Sequence, residues 1–461
     1  MVNDQVNAPA SQVADSVKAE LSDWRRWVAR GVILGFAILA SLVVVALTAL
    51  SEWALERFFS VTSHSVWWAL LWTPAITALV VWLTRRWAPG TAGSGIPQVL
   101  AALDAQTSEA DRSRFVSLRL SVAKLGLTTG SLLAGLSTGR EGPSVQIAAG
   151  VMHHARRWLP RGTHLSERGL MVAGGAAGIA AAFNTPLGGV MFAIEQLSRR
   201  AEDRSSGLLI AAIVLAGLIA VSIYGDVAYF GNIQTQAVPM DLLWPGLLVA
   251  LLSGVTGGLF SRLIVRSLVG GTDRISRWRR QYPIRFAAAC GLAVAVIGIV
   301  TAGATFGSGY QSTKDLLAGE TTVQPLHVLL RFIATWLSAW SGVPGGVFAP
   351  SLAIGSGLGA DVGLWMGLVH EPALIALGMV GFLAATTQAP ITAFIIVMEM
   401  VEGHTLVLSL MACAMLASAI SRLISAPMYT ALAHALLNPS TAAPQEPPES
   451  TATADQAPPH R

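Results

Sequence analysis

Charge is what this chain has least of. Only 12% of its 461 residues are Asp, Glu, Lys or Arg, against about 25% in an ordinary soluble chain. That deficit argues against a water-soluble enzyme. The two cysteines, Cys290 and Cys413, each lie in an apolar run. They build no disulfide scaffold and leave the redox compartment open. The 30 basic and 26 acidic residues give a net charge of only +4, too little to mark a nucleic-acid binder. No HExxH, paired CxxC or GxxxxGK[ST] pattern occurs, which removes the usual zinc hydrolase and the ATP-driven pump. His153 and His154 are adjacent, so a helix would point them to different sides. Gly135-Leu136-Ser137-Thr138-Gly139 spells G-x-S-x-G, but no alternating strand–helix pattern surrounds it. No cofactor is implied. Residues 1–23 are polar and mixed in charge, without the apolar core of a signal peptide.

What is present is apolar surface. Hydrophobic residues make up 53% of the chain, and there are 45 glycines, mostly within the apolar runs. A membrane-spanning helix needs about 20 mainly apolar residues. Among the stretches of 19 residues or more without Asp, Glu, Lys or Arg, nine are read as candidate spans: 31–51, 58–84, 169–194, 205–225, 242–261, 286–313, 332–360, 372–398 and 403–421. Shorter ones cover 125–139 and 142–155. Runs 332–360 and 372–398 are too long for one simple span and contain Gly and Pro. Each is expected to form two helices, or one broken at membrane depth. Arg25, Arg26 and Arg30 precede the first run, and Arg85–Arg86 follow the second. By the positive-inside rule the N-terminus is cytoplasmic. The expected layout is a cytoplasmic segment over 1–30, a membrane domain over 31–437 and a disordered tail rich in Pro, Ala, Ser and Thr over 438–461.

The membrane part is written twice. Gly93-Ser94-Gly95, Pro143, Pro186 and Glu195 recur as Gly307-Ser308-Gly309, Pro350, Pro390 and Glu399, at offsets of 214, 207, 204 and 204 residues. Two repeats, about 31–235 and 240–435, follow. Duplicated halves with broken helices place a binding site near the membrane midplane, where the halves meet.

Five motifs carry candidate chemistry. Gly93-Ser94-Gly95-Ile96-Pro97 puts Pro at the start of a helix, behind exposed backbone N–H groups and one hydroxyl. Such a helix start binds anions without a full positive charge. Gly139-Arg140-Glu141-Gly142-Pro143 has the same form plus an ionisable pair, and charge at membrane depth marks function. Its carboxylate could occupy the place an anion would take, and leave it when protonated. Gly345-Gly346-Val347-Phe348-Ala349-Pro350 has no charge, so its N–H groups are its polar donors. Glu195 and Gln196 close a long apolar run ahead of Arg199 and Arg200. Tyr429 stands between the last run and the tail. Taken singly, each also fits an ordinary turn, an interfacial ion pair or an interface anchor.

Together, GSGIP at 93–97, GREGP at 139–143, GVFAP at 346–350 and Tyr429 resemble the CLC chloride channel and transporter family over about residues 31–435. The resemblance implies an all-α polytopic membrane protein, an inverted-repeat bundle with broken and re-entrant helices. It implies a homodimer in a lipid bilayer, multi-pass in the plasma or inner membrane, with chloride as ligand and one pathway per subunit. The Ser94 and Tyr429 hydroxyls would hold the central anion, with the backbone of Gly95, Ile96, Val347 and Phe348. Glu141 would gate an outer site lined by the N–H groups of Arg140, Glu141 and Gly142. Ser94 matches the chloride-preferring form, and Pro143 argues against the fluoride-exporting branch. The proton-coupled members carry a second, inner glutamate where this chain has Gln196, which cannot bind and release a proton near neutral pH. Glu195 and Glu202 are the possible substitutes. The expectation from Gln196 is passive or weakly coupled chloride conduction. Chloride–proton exchange along a route that bypasses Gln196 is the alternative, and a polytopic membrane enzyme a remote one.

Overall fold

The computed structural model describes residues 24–160, 166–198, 207–225, 229–231, 242–320, 326–368 and 371–438. The expected tail beyond Asn438, Arg199–Arg200 and Glu202 lie outside the described residues.

The described chain is helical, with two isolated bridge pairs instead of a sheet. The first repeat contains α1 (Trp24–His64), α2 (Ala69–Trp87), α3 (Ile96–Leu103), α4 (Glu109–Phe115), α5 (Leu118–Leu133), α6 (Glu141–His154), α7 (Glu167–Phe183), α8 (Pro186–Phe192) and α9 (Gly207–Tyr224). The second contains α10 (Leu243–Val269), α11 (Arg274–Gln281), α12 (Pro283–Val300), α13 (Tyr310–Leu317), α14 (His327–Trp340), α15 (Phe348–Trp365), α16 (Pro372–Thr387), α17 (Pro390–Val401) and α18 (Val407–Ile424). A final helix, α19 (Met428–Leu437), follows.

Helices α1, α9, α10, α12 and α18, and the segment Val66–Trp87, are long and apolar enough to cross a membrane. They expose Leu39, Leu79, Leu218, Leu251 and Leu408, as a face turned to lipid should. Helix α1 has 41 residues. At about 1.5 Å per residue it is longer than the roughly 30 Å hydrocarbon core, so it tilts or protrudes. Apart from α15, which has 18 residues, the remaining helices are shorter, and the long runs divide as expected: 332–360 into α14 and α15, 372–398 into α16 and α17.

The duplication is visible in the backbone. Helix α7 ends on Asn184 at φ 58°, and α16 ends on Gln388 at φ 55°. These two left-handed caps are 388 − 184 = 204 residues apart. Each is followed by an N-cap residue at φ −126° or −122° and then by the proline that opens α8 or α17. The repeats also cap each other. Glu195 accepts from the N–H groups of Ile391 (3.2 Å) and Thr392 (2.6 Å) at the start of α17. Glu399 accepts from Leu187 (3.1 Å) and Gly188 (2.7 Å) at the start of α8. Exchange of equivalent contacts is what an approximate two-fold between the halves requires. Within each half, one helix pair packs backbone to backbone: α6 on α7, and α15 on α16. Small residues make that approach possible, as is usual where lipid removes the hydrophobic drive between helices.

Candidate functional site

Each of the three glycine motifs ends an extended segment and starts a helix, and the segments are stitched together. Gly93 N–H donates to the Val343 carbonyl (3.1 Å), and Gly345 N–H to the Gly93 carbonyl (3.1 Å). Gly139 and Gly346 exchange both backbone bonds, at 2.8 and 2.7 Å. The third motif therefore bridges the other two, and the starts of α3, α6 and α15 converge. Two glycines set the spacing. A Cβ at Gly142 would collide with the Ser94 hydroxyl, and one at Gly139 with the Glu141 carboxylate.

Gly95 caps α3 and Ile96 is its first residue; Arg140 caps α6 and Glu141 is its first; Val347 caps α15 and Phe348 is its first. Tyr429 is the second residue of α19. Its ring lies parallel to that of Phe348, with centroids 6.3 Å apart. Four helix starts thus meet at one buried place, each offering N–H groups and the positive end of a helix dipole.

The Ser94 Oγ and Tyr429 hydroxyl face one another there. Both are buried, and neither makes a hydrogen bond. A buried unpaired hydroxyl costs free energy, so two aimed at one space mark a ligand position. Hydroxyls and backbone N–H groups can all donate, so together they suit an anion. Glu141 is 1% exposed, and the backbone N–H groups of Arg140, Glu141 and Ala349 face its carboxylate. The carboxylate thus lies against backbone N–H groups at the starts of α6 and α15. The Arg140 side chain turns away, donating to the Thr48 carbonyl (3.2 Å), to Glu52 (3.2 Å) and to the Tyr229 hydroxyl (3.3 Å). Only its backbone is left for an anion.

Lys124 escaped the sequence reading, which treated it as the end of a charge-free run. It is fully buried in the middle of α5. Its Nζ donates to the carbonyls of Thr91 (2.7 Å) and Gly93 (2.6 Å), directly behind Ser94. The available signal was a lone cation between apolar segments. Ser137 of the G-x-S-x-G pattern is structural: its Oγ pairs with Thr335 (2.9 Å), and its N–H donates to Ser338 (3.1 Å).

Of the proton-path candidates, Glu141 belongs to this cluster, whereas Glu195 and Gln196 hydrogen-bond elsewhere. Glu195 and Gln196 lie in a π-type turn, Ala193–Leu197, closed by Ser198 N–H on the Ala193 carbonyl (2.7 Å). Glu195 is engaged as the cap of α17, and Gln196 donates to the Thr387 carbonyl (3.1 Å) at the end of α16.

Residues 76–422 match a family model described as voltage gated chloride channel. The chain is 31% identical over 422 residues to the H(+)/Cl(-) exchange transporter ClcA of Vibrio parahaemolyticus, covering 87% of each. Among solved structures it resembles a slow cyanobacterial Cl−/H+ antiporter, with TM-score 0.73 and 26% identity over 90% of this chain and 98% of that one. A CLC-type fluoride/proton antiporter shares the fold, at TM-score 0.71 and 20% identity over 89% and 99% of the two chains.

Proposed function

The chain belongs to the CLC family of chloride channels and transporters, and on that premise we propose that it exchanges chloride for protons across a bilayer. The observation that carries this reading is the pair of buried, unpartnered hydroxyls, Ser94 Oγ and Tyr429 Oη. A chloride between them accepts both hydroxyls and the N–H groups at the starts of α3 and α15, from Gly95, Ile96, Val347 and Phe348. No fixed cation touches it, and such weak binding lets the ion leave as readily as it enters.

Glu141 is the gate in this reading. While ionised, its carboxylate competes with chloride for the N–H groups it faces, those of Arg140, Glu141 and Ala349, and the expected Gly142 N–H is not among them. Protonation removes the charge, the N–H groups lose their internal anion, and chloride takes its place. Carboxylate and chloride thus displace each other at one position, and the proton on Glu141 decides which is held, which is the elementary act of exchange.

Exchange is favoured over the passive conduction expected from Gln196, because the relatives similar over most of the chain are named exchangers. Gln196 carries no exchangeable charge, and Glu195 is occupied as a helix cap. The inner proton route bypasses both. We also infer a homodimer with one pathway per subunit, and a cytoplasmic N-terminus in a plasma or inner membrane. Family members of this kind are transporters or channels, not enzymes.

The test uses purified protein in liposomes, with an imposed chloride gradient, clamped voltage and recorded external pH. Uphill proton movement driven by chloride is the expected result. Chloride flux without proton movement would overturn exchange and leave a passive pathway. Gln196→Glu would then be expected to add proton coupling.

A further inference from the structure

Arg331 lies in the middle of α14 and is 0% exposed. An arginine stays charged even there. Its Nη2 donates to the Ala304 carbonyl (2.8 Å), but Nε and Nη1 have no hydrogen-bond partner. Among the described residues, no ion pair involves it. A buried charge with orphaned donors is costly, and native proteins resolve it with a counter-ion or ordered water.

Its repeat mate shows what is unusual. Lys124 is 331 − 124 = 207 residues earlier, the offset that relates Pro143 to Pro350. The Lys124 ammonium is held by two carbonyls of the loop that carries Ser94. Arg331 braces the equivalent loop through one carbonyl only, and has donors to spare.

Those donors face a helix start. Gly309 caps α13 at φ 87°, and a Cβ built on it would lie 2.5 Å from Arg331 Nη1 and 2.8 Å from Cζ. The guanidinium therefore rests against the N-terminus of α13, whose first-turn N–H groups have no intrahelical acceptor. One of them, on Tyr310, makes only a long contact of 3.4 Å with Ser308 Oγ. Two positive features converge, with no carboxylate paired to either.

We propose that the second repeat binds an anion of its own here, a small monovalent anion such as a halide, held by Arg331 Nε or Nη1 and the N–H groups that open α13. The place is linked to the gate. The Tyr310 hydroxyl donates to the Tyr229 carbonyl (2.9 Å), and the Tyr229 hydroxyl accepts from Arg140, beside Glu141. The site is a holding position on the approach to Glu141. It rests on the exchange reading for the role of Glu141 and for the choice of a halide as probe.

The full-length protein, crystallised in bromide, gives the test through anomalous scattering. A peak at hydrogen-bonding distance from Arg331 Nε or Nη1 is expected, beside the one between Ser94 and Tyr429. Arg331→Met should abolish the first peak and keep the second; Arg331→Lys should retain the first at lower occupancy. In transport, Arg331→Met should raise the KM for chloride and leave kcat unchanged, whereas a merely structural role would lower kcat. Should that variant fail to fold, the wild-type data decide alone. Water at Arg331 beside an occupied central site would overturn the proposal and spare the exchange reading. A peak that survives Arg331→Met would overturn it too, and absence of both peaks counts against both readings.

Discussion

Helix α6 opens on Gly139-Arg140-Glu141-Gly142-Pro143, and α15 opens on Gly346-Val347-Phe348-Ala349-Pro350. The two segments match position by position at an offset of 207, and they exchange backbone hydrogen bonds at Gly139 and Gly346. Yet Arg140 faces Val347 in the correspondence, and Glu141 faces Phe348. Both helices end in the same N–H groups. One start carries a carboxylate; the other carries Phe348, whose ring lies parallel to that of Tyr429. A symmetric backbone thus supplies two equivalent helix ends, and one of them carries a charge that the other lacks. The bracing cations differ in the same way: Lys124 closes on two carbonyls and Arg331 on one. By contrast, the caps exchanged between Glu195 and Glu399 remain equivalent, since they hold the halves together and touch no anion.

The largest effect should come from erasing the difference at the gate. Glu141→Gln is expected to abolish the pH dependence of chloride flux in liposomes while chloride still passes. Full pH dependence in that variant would remove Glu141 from its role. Next comes the brace behind Ser94. Lys124→Met leaves the Thr91 carbonyl without this donor and the Gly93 carbonyl with only the Gly345 N–H, and so loosens the loop that aims the Ser94 hydroxyl. Charge-assisted hydrogen bonds contribute about 1.5–3 kcal/mol, so chloride binding by calorimetry should weaken by about 10–100-fold. Unchanged affinity would show that the loop holds its shape without the lysine. The smallest effects should come from the symmetric caps. Glu195→Ala and Glu399→Ala should each lower stability by about 1 kcal/mol, read from thermal melting in detergent, and by similar amounts. Loss of proton coupling in Glu195→Ala without loss of stability would make Glu195 a relay instead of a cap.

Much of this protein was legible in order and spacing alone. Apolar run length reports a helix in lipid wherever the chain folds, so the membrane helices could be read directly. The divided runs at 332–360 and 372–398 were equally plain, because Gly and Pro break helices through their own backbone. The recurrence of Gly-Ser-Gly, Pro and Glu at nearly constant offsets likewise exposed the duplication and its anion-binding motifs. Lys124 and Arg331 were opaque for a different reason. A single cation between apolar segments reads as a membrane surface, unless the carbonyls that shelter it are known. Those carbonyls, at Thr91, Gly93 and Ala304, lie 27 to 33 residues away along the chain. Glu195 beside Gln196 posed the same problem: a free acid and a cap to a helix two hundred residues on are written with the same letter. Sequence by itself determined the helices, the repeat and the motifs, because these follow from local hydropathy and backbone preference. Only the tertiary structure decided which charges are sheltered, which hydroxyls are left unpaired and which carboxylate lies against helix N–H groups, because each depends on partners brought close by folding.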